Sequence, residues 1–147
     1  MKYFKFAPIV LALVFLLFYY FGIYEGEKPS PQTDQQTQGN TKVDEQPPVT
    51  IGVTPVNLGQ DAKVWRFAVV FDTHSENLDQ DPTKIAVLVD DENNAYLPTA
   101  WEGPGPGGHH REGFLIFDSI TPTPAYVELK IKDVGGVPER SFRWNLE

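Results

Sequence analysis

The sequence predicts an all-β domain, an immunoglobulin-like antiparallel sandwich of about seven strands, carried on one N-terminal transmembrane helix. Three observations carry that reading. An uncharged apolar run opens the chain, a polar stretch poor in buriable side chains follows it, and from Val49 onward short runs of Val, Ile, Phe, Trp and Tyr alternate with clusters of Gly, Pro, Asn and Asp. No stretch shows the 3.6-residue periodicity of an amphipathic helix.

The first element is "APIVLALVFLLFYYFGIY", Ala7 to Tyr24. As a helix rising about 1.5 Å per residue it spans roughly 27 Å, close to the hydrocarbon thickness of a bilayer. Its end is bulky and lacks the small-residue pattern of a cleavage site, and the chain has no cysteine to be acylated, so the reading is an uncleaved anchor. Lys2 and Lys5 precede the run while Glu25 and Glu27 follow it. The positive-inside bias therefore leaves residues 1–6 in the cytoplasm and the rest of the chain outside. Tyr19, Tyr20 and Tyr24 suit an interfacial aromatic belt at the outer end.

Residues 25–48, "EGEKPSPQTDQQTQGNTKVDEQPP", are rich in Gln, Thr, Pro and charge. Such composition cannot offset the entropy of ordering itself and predicts a disordered tether. The extracytoplasmic domain is then 49–147. With no cysteine in the chain its stability must come from its core, and a net charge of −8 argues against a nucleic-acid partner.

Within the domain, "PVTIGVTPVNL" alternates as a first strand, with Pro55 marking an edge position or a break. In "KVWRFAVVFDTH" the residues Trp65, Phe67, Val69 and Phe71 recur at period two and predict a central strand. "KIAVLVD" and "AYLPTAW" flank the turn-rich "DENN" and predict a hairpin. "GFLIFDS" is a short buried run. "AYVELKIK" sets Val127, Leu129 and Ile131 against Glu128, Lys130 and Lys132, and "SFRWNL" closes the chain after "VGGVPE". Trp65, Trp101 and Trp144 are the expected anchors of the core or its rim.

The chemistry-bearing residues gather in two segments, "FDTHS" (Phe71 to Ser75) and "GGHHREG" (Gly107 to Gly113), which hold all three histidines. Both lie at strand ends, where loops of a sandwich converge. His74, His109, His110, Asp72 and Glu112 form a donor set suited to Zn²⁺ or Cu²⁺, since the soft ligands that Cu⁺ prefers are missing. Adjacent side chains on a strand point to opposite faces, so His109 and His110 share a cation only across a bend, for which Gly107 and Gly108 are suitably placed. Arg111, with exposed N–H groups of the glycine turn, makes an alternative anion site for a carboxylate or phosphate. In a third reading "GPGPGG" is a surface loop whose histidines only pin neighbouring backbone. "SENLDQDPT" and "VDDENNAY" crowd oxygens as weak calcium loops do, without the EF-hand spacing and with the composition of ordinary turns. No nucleophile-elbow pattern surrounds Ser75 or Ser119, so no catalytic residue is assigned and the chain reads as a non-enzyme.

The elements D-T-H-S, at Asp72 to Ser75, and G-G-H-H-R-x-G-x-L-x-F, at Gly107 to Phe117, resemble those of an uncharacterised family of single-pass prokaryotic membrane proteins with a small extracytoplasmic β domain. The resemblance covers a minority of the domain and implies neither an activity nor a ligand. Two functional expectations follow from the residues: a membrane-anchored module that binds an unknown protein partner, or a divalent-metal protein using the histidine cluster.

Overall fold

A computed structural model describes residues 40–146. The expected cytoplasmic N-terminus, the anchor at 7–24 and the tether as far as residue 39 lie outside the described residues. Among the described residues no helix is long and apolar enough to cross a membrane.

Among the described residues nine strands and one helical turn follow one another: β1 (Lys42–Asp44), β2 (Val49–Asn57), β3 (Val64–Thr73), α1 (Pro82–Ile85), β4 (Ala86–Asp90), β5 (Ala95–Tyr96), β6 (Ala100–Glu102), β7 (His110–Asp118), β8 (Tyr126–Val134) and β9 (Val137–Asn145). They form two sheets, one of five strands in the order β1-β2-β3-β7-β6 and one of four in the order β5-β4-β8-β9. Every pairing is antiparallel. The fold is all-β, as the alternation predicts.

The period-two pattern decides which residues meet between the sheets. Trp65, Phe67, Val69 and Phe71 of β3 turn inward with Ile51 and Val53 of β2 and Leu115 and Phe117 of β7. Val127, Leu129 and Ile131 of β8 face them with Phe142 and Trp144 of β9, and all join one core cluster. Phe67 is central: its ring meets Phe117 edge-on at 5.8 Å between centroids and Trp144 at 5.4 Å. Full burial of side chains of this size stabilises by about 1.5–3 kcal/mol each before the entropy of ordering is counted.

Three local outcomes differ from the sequence reading or refine it. "AYLPTAW" is two strands: Ala95–Tyr96 pairs with β4, whereas Ala100–Glu102 pairs with β7 in the other sheet. Pro98 lacks the N–H a continuing ladder needs and Leu97 is exposed, so the chain crosses between sheets there. Pro55 lies within β2, beyond the residues that β1 covers, and the register with β3 shifts between Pro55 and Asn57. Finally, the ordered domain begins before Val49. β1 lies within the stretch expected as tether, and Asn40 accepts a hydrogen bond from Trp144 Nε1 at 2.9 Å. A composition count misses this segment because most of what holds it is backbone, the β1–β2 ladder and the carbonyls of Asn40 and Gln46, with Asp44 adding its carboxylate.

Arg140 explains why this segment is held. Its side chain is fully buried on β9; Nη1 donates to Val49 O at 2.6 Å and Nη2 to Gln46 O at 2.9 Å. The carboxylate of Asp44 on β1 lies 3.5 Å from Nε. Burial pulls the guanidinium below its usual value and Asp44 opposes that pull. Without residues 44–49 a buried cation would lose most of its partners, a costly state.

Candidate functional site

The two histidine segments meet at the end of the sandwich where β3 runs out and β7 begins. Thr73 N donates to His109 O at 2.9 Å where β3 runs out beside β7. Beyond it the 74–81 loop is stapled to the 103–109 loop. Leu78 N donates to Gly108 O at 3.0 Å, Gly107 N to Leu78 O at 2.9 Å, and Gly108 N to Asn77 Oδ1 at 2.9 Å. Gly107 and Gly108 have φ of 111° and 80°, a backbone that L side chains rarely adopt, and this bend turns the loop back against Leu78.

Each histidine has a separate situation. His109 Nδ1 lies 2.9 Å from Glu76 O; a carbonyl only accepts, so this nitrogen carries the proton. His110 is exposed on the outer face of the five-stranded sheet, directly across the ladder from Asp72. Asp72 Oδ1 lies 3.2 Å from its Nδ1 and Glu112 Oε2 lies 3.9 Å from its Nε2. The two carboxylates thus address opposite nitrogens of one ring and surround it instead of sharing a point in space. His74 is exposed. Among the described residues no hydrogen bond or ion pair joins it to either other histidine, and no three His, Asp or Glu side chains gather as a metal-holding group. The structure brings the loops together without converging the five expected donors.

Arg111, the expected anion fork, faces inward. It is 3% exposed, and its Nη1 donates to Leu78 O at 3.0 Å and Gln80 O at 2.7 Å, while Nη2 donates to Pro104 O at 3.1 Å. Burial draws the guanidinium below its usual value against the pull of Asp81 and Asp79, and an arginine stays charged under such a shift. Its fork holds three backbone carbonyls of two loops, so the group binds the loop end together from beneath.

Trp101 completes this platform. Its ring lies 5.7 Å from the Arg111 guanidinium carbon and 6.4 Å from the Phe71 ring, and its Nε1 donates to Pro104 O at 3.0 Å. A Cβ on Gly103 would stand 2.6 Å from Trp101 Cζ2, and one on Gly113 would meet the same atom at 2.6 Å. Both positions are glycine because the indole lies against the backbone there. For Gly113 the signal available was its spacing of two from Arg111, which puts both on one face of β7; Gly103, just beyond β6, was readable only as turn composition.

A concavity lies at the other end. A polar cleft of about 300 Å³ separates the β4–β5 turn from the 120–125 segment. Its carboxylates are employed internally. Asp90, almost wholly buried, accepts from Glu92 N, Asn94 N, Asn94 Nδ2 and Tyr96 Oη at 2.8–3.0 Å. Burial pushes its carboxyl up, and the bonds from Asn94 and Tyr96 outweigh that and hold it below the ordinary value. Asp91 Oδ2 accepts from Ala125 N at 2.9 Å, tying the turn to the segment opposite. In the "SENLDQDPT" loop Asp81 likewise caps α1, accepting from Thr83 N and Oγ1. These acidic runs therefore build turns, as their composition allows.

Comparison of the chain with protein-family models, curated proteins and solved structures finds no significant match.

Proposed function

We propose that this chain is a membrane-anchored, extracytoplasmic binding module of immunoglobulin-like type, which engages a protein partner through the 74–81 and 103–109 loops and catalyses nothing. The observation that carries the reading is the stapled loop end. Loops that are already fixed by backbone bonds and by Arg111 lose little freedom on binding, which favours recognition by a preorganised surface. His74, Ser75 and Glu76 are exposed on the 74–81 loop.

Two further features support the parts of this reading. Strand order β2-β3-β7-β6 against β5-β4-β8-β9 follows the A-B-E-D and C′-C-F-G arrangement of immunoglobulin-like sandwiches. The uncharged run Ala7 to Tyr24, with lysines before it and glutamates after it, supports an anchor with the domain outside.

The test is affinity capture by the full chain from solubilised membranes of the organism that makes it. A partner retained by the native chain, and lost with His74→Ala/Glu76→Ala at unchanged melting temperature, is the expected result. Recovery of nothing beyond an anchor-only control, or equal recovery by the loop variant, refutes the reading.

A further inference from the structure

Three of the four sheet edges end in strands of two or three residues, β1, β5 and β6. The fourth is β9, nine residues long, and among the described residues no strand pairs with its outer side. A long open edge is a template for another strand.

The ladder fixes which backbone groups face outward. Leu146 N donates to Ala125 O at 2.9 Å, continuing the register in which Tyr126 stands opposite Asn145. Backbone direction alternates along a strand. Arg140, Phe142 and Trp144 therefore turn their N–H and C=O toward β8, and Glu139, Ser141 and Arg143 turn theirs to the open side. Pro138 belongs to the set facing β8, and the ladder indeed omits a pair there: it passes from Lys132 opposite Glu139 to Val134 opposite Val137, with Asp133 at φ 54°.

The same three residues expose their side chains on the outer face of the sheet. Glu139 takes Lys130 at 2.9 Å and Lys132 at 3.9 Å, and Arg143 takes Glu128 at 3.6 Å. A twofold axis at Ser141 sets Glu139 of one copy opposite Arg143 of the other, twice. The row across the junction then reads Lys132, Glu139, Arg143, Glu128, alternating in sign over four strands. An axis at Glu139 or at Arg143 sets like charges face to face, which disfavours those registers.

We propose that β9 pairs antiparallel with β9 of a second copy about Ser141, joining the two four-stranded sheets into one. Charge selects this register, and the outward N–H and C=O groups of Glu139, Ser141 and Arg143 supply its hydrogen bonds. A symmetric, isologous contact of this kind closes as a dimer, and the edges that remain end in the short strands β1, β5 and β6.

The chain has no cysteine, so Ser141→Cys introduces its only thiol. In the paired strands the two Cα atoms at this position stand about 5.5 Å apart, inside the range a disulfide spans. The full chain carrying Ser141→Cys, solubilised in detergent and mildly oxidised, is expected to cross-link about tenfold faster than the same chain carrying Ser75→Cys, because a held pair reacts at a high effective concentration. Adding Glu139→Arg alone or Arg143→Glu alone should abolish that advantage. Mixing the Glu139→Arg chain with the Arg143→Glu chain should restore it, since each then meets opposite charges, and the restoration also shows that both variants fold. Cross-linking no faster than the Ser75→Cys control overturns the proposal. So does an advantage that survives either charge reversal, or one that mixing fails to restore.

Discussion

Replacing Arg111 by Met separates two accounts of what the buried guanidinium is worth. The side chain keeps an unbranched apolar stem but loses the guanidinium that meets Trp101 and with it every donor. Counted bond by bond, three charge-assisted hydrogen bonds at about 1.5–3 kcal/mol each amount to roughly 5–9 kcal/mol. The acceptors tell otherwise. Leu78 O still receives Gly107 N, and Pro104 O still receives Trp101 Nε1; Gln80 O alone is left without a donor, costing about 1–3 kcal/mol. Loss of the contact with the Trp101 face adds about 0.5–1 kcal/mol. Against these stands relief of a buried charge whose Nε has no hydrogen-bond partner and whose fork meets carbonyls, not a carboxylate. The net expectation is a loss of about 2 kcal/mol. Urea titration of residues 35–147, a compact unit by itself, should show the midpoint falling by about 1–2 M at constant slope. An unchanged midpoint, or a loss above about 5 kcal/mol, would refute the reasoning. Amide exchange should locate the effect in the 74–81 loop, with the Leu78 and Gly108 N–H groups still protected.

Three further outcomes are expected. Beginning the domain at Val49 removes the Asp44 carboxylate and Gln46 O from Arg140 and the Asn40 acceptor from Trp144; loss of a buried charge's partners costs about 3–5 kcal/mol, so a 49–147 fragment should melt well below a 35–147 fragment, and equal melting would contradict the assignment of β1. Asp90 is held below its ordinary value in the folded state, so its contribution is fully present above the unfolded value of 3.8 and fades as pH falls through the folded value; Asp90→Asn should lower stability at neutral pH and flatten the decline below pH 3.8, and an unchanged acid slope would count against the Asp90 network. Because the donors around His110 do not share a point, Zn²⁺ or Cu²⁺ should raise the melting temperature no more in the native domain than in one carrying His74→Ala, His109→Ala and His110→Ala together; a saturable rise specific to the native protein would establish a metal site.

The parts of the fold that follow from apolar periodicity were legible because burial between two sheets imposes a period of two on each strand. Trp65 to Phe71 and Val127 to Ile131 fall inward as their spacing requires. What stayed hidden in the sequence has one common physical character: a polar side chain serving backbone. Arg111 and Arg140 look like surface cations, yet each is buried to collect carbonyls from segments far away in the chain, a job the guanidinium fork does well and an ammonium would do poorly. Composition assigns the stretch up to Pro48 to a tether because its own side chains bury little; its order from Asn40 onward comes from what Trp144 takes from Asn40 O and what Arg140 takes from Gln46 O and the Asp44 carboxylate. The histidine loop follows the same logic. "WEGPGPGGHHREG" draws the eye to its imidazoles, whereas its structural content is Trp101 lying against Gly103 and Gly113 and Arg111 reaching beneath. The histidines are what such a platform displays. That division assigns the inward set to stability and leaves His74, Ser75 and Glu76 as the residues whose replacement should change binding without changing the fold.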